Sequence, residues 1–172
     1  MMKRFVNKWT RPEKKKGMTS IEIVLSVLLI LIAISGFVDL TNIIRRGTAV
    51  SASTAYVSRV VGNQGGIQTK QIKNFSGRYV GSNELYSNIK RTMESSGIPE
   101  EDWTVRVYGV TLTPTTNLPV YDYGTSIPIA VTVDYEWGFT QNFVPGNIDG
   151  THSSSSSVYT THKIRDGNYK ER

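Results

Sequence analysis

Two residues of this chain have the type and spacing for chemistry. Gly17 closes the basic run Lys14-Lys15-Lys16, and Glu22 is a lone carboxylate at the mouth of an apolar stretch that continues from Ile23 to Val38 without a charge. A glycine has almost no side chain, so the backbone around it fits closely into a protease cleft. A carboxylate at the edge of a low-dielectric region is costly unless a cation pairs with it. The chemistry on offer is cleavage of a peptide bond by an outside protease and charge pairing by the carboxylate. The remaining chemistry-bearing residues form no comparable set. His152 and His162 have no cysteine partners and no HExxH spacing, so no metal site is expected. The serines lack a GxSxG elbow and read as loop, and Asn147, Asp149 and Thr151, which alternate in a Pro145 to Thr151 loop, read as a turn. Asn74-Phe75-Ser76 matches a glycosylation sequon and carries little weight. No enzyme and no cofactor are expected.

The elements that position Gly17 and Glu22 follow from charge and hydropathy. Lys3, Arg4, Lys8, Arg11, Lys14, Lys15 and Lys16 stand against Glu13 alone, so residues 1–17 account for the whole formal excess of +6 and Met18 to Arg172 sums to zero. The high pI therefore belongs to the leader, and no nucleic-acid partner is expected for the rest. Lys and Arg beside a span stay on the cytoplasmic side, which places the carboxyl-terminal part outside. Ile21 to Ile44 makes roughly 36 Å of helix at 1.5 Å per residue, enough for a hydrocarbon core of about 30 Å. Only Glu22 and Asp39 interrupt it, and Asp39 reads as a membrane-boundary charge that reaches the headgroups.

Beyond the span, Leu40, Ile43, Ile44, Val50, Tyr56, Val57, Val60 and Val61 recur at three- and four-residue steps. One long helix over 18–61 is predicted, softened at Gly36 and Gly47. Gly62-Asn63-Gln64-Gly65-Gly66 then opens an exported head over 62–172. Ser82 is expected to cap a helix that runs to about Ser96 with Leu85, Ile89 and Met93 on its core face. Strands are expected at Trp103 to Val107 and at Tyr108 to Leu112, with a bulge beside Gly109. Another is expected over Ile127 to Phe139, with Pro128 at an edge or outside the ladder, and a last one over Val158 to Ile164 after the serine run Ser153 to Ser157. The fold class is α+β, a long N-terminal helix followed by a small antiparallel sheet head with one short helix. Cysteine is absent, so the head relies on its core or on neighbouring subunits.

At Gly17-Met18-Thr19-Ser20-Ile21-Glu22 the chain resembles the type IV pilin superfamily, and the pattern from Lys14 to about Gly66 looks most like the TadE-like minor pseudopilins of tight-adherence pili. The resemblance implies that a membrane-embedded prepilin peptidase cuts after Gly17, so that Met18 becomes the first residue, N-methylated in some branches, and Glu22 the fifth. It implies as partners other pilin subunits, an inner-membrane assembly platform with its ATPase, and membrane lipid. The physical logic of Glu22 stands beside it. A cut after Gly17 creates an ammonium on Met18 in a low-dielectric region, and a carboxylate one turn along can neutralise it or that of an incoming subunit, fixing axial register in a staggered bundle.

The expectation is a cleaved structural subunit, a minor pilin or pseudopilin, held in the cytoplasmic membrane with its N-terminus inside and then assembled into a surface filament. The alternative is an uncleaved single-pass anchor that carries an extracellular binding module for adhesion or conjugation. An ordinary secretory peptide fits poorly, because the A-x-A-like sequence around Ala49 to Ala52 lies well beyond the apolar run.

Overall fold

The structure is a computed structural model that describes residues 18–72, 75, 77–143 and 149–163. The leader with Gly17, the sequon's Asn74 and Ser76, Asn147 and Ile164 lie outside the described residues.

A single helix, α1, runs from Met18 to Gln64. Leu, Ile and Val dominate its first half. Its second half presents one face to the head, through Ala49, Val50, Val57, Val60 and Val61. Ser53 belongs to that packed stripe, which extends from Ala49 and Val50 towards the N-terminus, by three- and four-residue steps, through Arg46, Ile43 and Asp39 to Ser35. The helix runs three residues beyond the expected Val61. Gly62 is helical, and it is a glycine because a Cβ there would stand 2.7 Å from Val158 Cγ2. The stop comes at Gly65, whose φ of +73° suits a left-handed helix cap and whose N–H donates to the Val61 carbonyl at 2.7 Å. The head meets α1 as far down as Asp39, so the expected span of 21–44 and the head's footing on α1 overlap.

The second helix, α2, covers Ser82–Ser95 and buries Leu85, Ile89 and Met93 as expected. Ser82 does not cap it. It is the first helical residue, fully buried, and its hydroxyl donates to the Pro114 carbonyl at 2.8 Å, while Gly81 holds the cap position. The helix closes in a Schellman arrangement around Gly97, with Gly97 N–H donating to Glu94 and Ile98 N–H to Met93.

Four antiparallel strands follow, β1 (Trp103–Val107), β2 (Val110–Thr111), β3 (Ser126–Glu136) and β4 (Asp149–Tyr159), in the order β2-β1-β3-β4. The alternation in β1 and β3 buries Trp103, Val105 and Val107 with Ile127, Ile129, Val131 and Val133. Where a bulge was expected, Tyr108 and Gly109 form a two-residue hairpin loop between the paired Val107 and Val110, both with positive φ (53° and 79°), as a turn that matches strand twist requires. The sequence cue was the same, a phase shift beside glycine, but the chain reverses there.

The larger correction is β4. The serine run read as loop is its centre, with Ser153 to Ser157 opposite Thr132 to Pro128 of β3. Its alternate residues His152, Ser154, Ser156 and Val158 share the face of Val133, Val131, Ile129 and Ile127, over which α1 lies. Small side chains there allow a close approach of helix to strand. The strand stops at Tyr159, so His162 lies beyond it, where its ring meets Phe75 at a centroid distance of 5.7 Å. Pro128 belongs to a central strand after all. Its carbonyl accepts Tyr108 N–H at 2.8 Å, so the N–H it lacks would face the end of β1, where the ladder already stops at Val107 and Ile129. The core forms between α1, α2 and the inner face of this sheet.

Candidate functional site

Met18 is the first residue of α1, and Glu22 follows one turn along. Glu22 is exposed. Around and beyond it the large side chains Ile21, Ile23, Val24, Leu25, Leu29, Ile30 and Ile34 are also exposed, so from Ile21 to Ile34 these side chains have no covering partner among the described residues. The helix is long and apolar enough to cross a membrane. A carboxylate at its head can do what charge chemistry allows, which is to take a cation brought by another group.

Asp39 has a different occupation from the one expected. Its side chain is 3 % exposed, and its two carboxylate oxygens accept the backbone N–H of Phe139 at 3.1 Å and of Thr140 at 2.7 Å. These residues open the short 3-10 turn Thr140–Asn142 that follows β3. The carboxylate does not reach for headgroups. It ties the head to the helix by supplying acceptors to two N–H groups that the turn leaves unpaired, which offsets the cost of its burial. Nearby, Arg46 donates to the Asp134 carbonyl at 2.6 Å and faces Asp102 at 3.6 Å. A third tie stands at the other end of α1, where the buried Gln64 amide pairs with both the N–H and the carbonyl of Val80. The signal for these three was present in the sequence as polar residues in phase with the packed stripe, and only the apolar members of that stripe were read.

Among the described residues no group of three or more His, Cys, Asp or Glu side chains stands ready for a metal. His152 stacks on Tyr135 with centroids 4.7 Å apart, and His162 lies far along the chain beside Phe75, so the two histidines serve separate packing contacts. A cleft of about 690 Å³ is lined by Arg59, Arg78, His162 and Lys163 at the C-terminal end of α1. Among the described residues that line it, no nucleophile is hydrogen-bonded to a base.

Compared with family models, curated proteins and solved structures, the chain matches none.

Proposed function

We propose that this chain is a pilin-like structural subunit, a minor pilin or pseudopilin, cut after Gly17, held in the cytoplasmic membrane by the first half of α1 and then assembled through that same half into a surface filament of the type IV, tight-adherence kind. The observation that carries this reading is the division of one helix. From Ile21 to Ile34 nearly every large apolar side chain is bare, while from Ala49 onward the helix is built into the head. A bare apolar stripe in lipid and the same stripe against neighbouring helices bury the same surface, so transfer from bilayer to filament costs little. Glu22 supplies the polar term in that transfer, pairing with the Met18 ammonium of a neighbour. The partners of this reading are a prepilin peptidase, other pilin subunits and the assembly platform with its ATPase. The head acts as a packing and display module and carries out no catalysis.

Amino-terminal sequencing of the membrane-resident protein from cells that contain a prepilin peptidase tests it. The expected first residue is Met18. A protein that keeps residues 1–17 in such cells would be a plain membrane anchor with an external binding module, and the pilin reading would fall.

A further inference from the structure

The bare part of α1 is short for a bilayer. Met18 to Ile34 gives about 26 Å of helix at 1.5 Å per residue, against a hydrocarbon core of about 30 Å. The head already covers one face of the helix at Asp39, and Ser35, one turn nearer the N-terminus on the same face, is 7 % exposed. On the other faces Phe37 (73 % exposed), Leu40 and Ile44 stay uncovered, with exposed Thr41 and Asn42 between the last two, and the first exposed charge beyond Glu22 is Arg45. Twenty residues counted from Met18 or from Ser20 end at Phe37 or Asp39. The edge of the hydrocarbon therefore falls where the head first meets the helix.

The head surface at that level is the turn held by Asp39, and it is aromatic. Phe139 is 56 % and Phe143 43 % exposed, and Trp137 is half-buried beside them. Two bare phenylalanines within five residues are unusual on a loop that faces water, while aromatic side chains concentrate at bilayer interfaces. Phe139 stands against α1 at this level, where its N–H reaches Asp39 and it lines a cleft with Asn42 and Ile43. The Asp39 carboxylate completes the arrangement, because it occupies the N–H groups of Phe139 and Thr140 that lipid could not satisfy.

We propose that the turn after β3 is a membrane foot, with Phe139 and Phe143 inserted at the outer interface of the bilayer that α1 crosses. This rests on the reading of α1 as a membrane span. The foot offsets the short bare helix and sets the height of the head above the bilayer. It also adds a contact that must be broken when a subunit leaves the membrane.

The chain has no cysteine, so single labelling sites are available. The full chain carrying Leu29→Cys, Phe139→Cys, Phe143→Cys or Tyr123→Cys is placed, one copy per disc, in phosphatidylglycerol–phosphatidylethanolamine nanodiscs and spin-labelled. The measured quantity is the ratio of relaxation by oxygen, which enters lipid, to relaxation by a water-soluble nickel chelate. Position 29 reports the span, and exposed Tyr123, near the far end of α1, reports water. The expected result is a ratio at 139 and 143 several-fold above that at 123 and approaching that at 29. A water-like ratio at 139 and 143 with a lipid-like ratio at 29 would overturn the foot and leave the span standing, and would point to a neighbouring subunit as the occupant of these aromatics. A water-like ratio at 29 would overturn the span itself and the foot with it. Labelling at two positions in the turn guards against a local disturbance by either substitution.

Discussion

The carboxylate of Asp39, in the first half of the long helix, accepts the backbone N–H of Thr140 at 2.7 Å across 101 positions of sequence. With the matching bond from Phe139 it is the lowest tie between helix and head. Asp39→Ala leaves two N–H groups without acceptors, a loss of about 1–3 kcal/mol for each one that stays buried. The expected outcome is faster amide hydrogen exchange at Phe139 and Thr140 in detergent-solubilised protein, with the centre of β3 unaffected. Asp39→Asn keeps one acceptor oxygen and should fall between. Unchanged exchange at both amides in the alanine variant would show that the tie contributes nothing.

Glu22→Ala should leave membrane insertion intact, since it makes the apolar run more apolar. Incorporation into a filament should fail. A buried charge pair broken on one side costs about 3–5 kcal/mol, a factor of roughly a hundred to several thousand in an association constant. Cell fractionation beside recovery of sheared surface filaments separates the two effects. In the same assay Gly17→Glu should abolish processing and Gly17→Ala should lower or only partly keep it, which is read at the amino terminus. Wild-type recovery of Glu22→Ala would reduce Glu22 to a boundary charge.

Two helical glycines of α1 should respond in opposite directions to alanine. At Gly47 the nearest atom to an added Cβ is His152 Cε1 at 4.0 Å, so Gly47→Ala should gain most of the helix-propensity difference of about 1 kcal/mol. At Gly62 the added methyl meets Val158 Cγ2 at 2.7 Å. Overpacking typically costs about 1–3 kcal/mol, which outweighs the same propensity gain. Thermal unfolding of the solubilised chain should therefore rise for Gly47→Ala and fall for Gly62→Ala.

The phenol of Tyr86 donates to Glu100, which also takes the Lys90 ammonium, while its ring lies 5.3 Å from that of Trp103. Burial, and then the Glu100 carboxylate, pushes the Tyr86 pKa up to about 12. A phenol whose folded-state pKa is raised gives stability that is fully present below its unfolded value near 10 and is lost as pH rises through the folded value. The loss should appear between pH 10 and about 12. Tyr86→Phe should flatten the stability curve in that window and remove the most alkaline step from the phenolate absorbance titration.

The elements whose sequence period matched one strong burial face were legible. The core face of α2, the buried sides of β1 and β3, and the division of the chain into a bare helix and a small α+β head all follow from apolar spacing. β4 was not legible because its serines carry neither strand propensity nor apolar signal. What makes them a strand is supplied from outside, by the ladder of β3 and by a helix that needs small side chains beneath it. The tie that Asp39 makes to the head was not legible for a related reason. A lone carboxylate in an apolar run shows only its charge until its spacing of four residues from Ser35 and Ile43, and of seven from Arg46, is noticed. Ser82 and Gly62 were assigned their commonest roles, cap and break, and in each case a tertiary contact, to Pro114 and to Val158, decided otherwise.

Because α1 continues without a break from Met18 to Gln64, about 70 Å at 1.5 Å per residue, and the head is fastened to it from Asp39 onward, there is no joint between the bare end of the helix and the sheet. The helix is a lever. Whatever tilt it takes in its surroundings is passed undiminished to the sheet, and a sideways pull on the sheet arrives at Glu22 as torque.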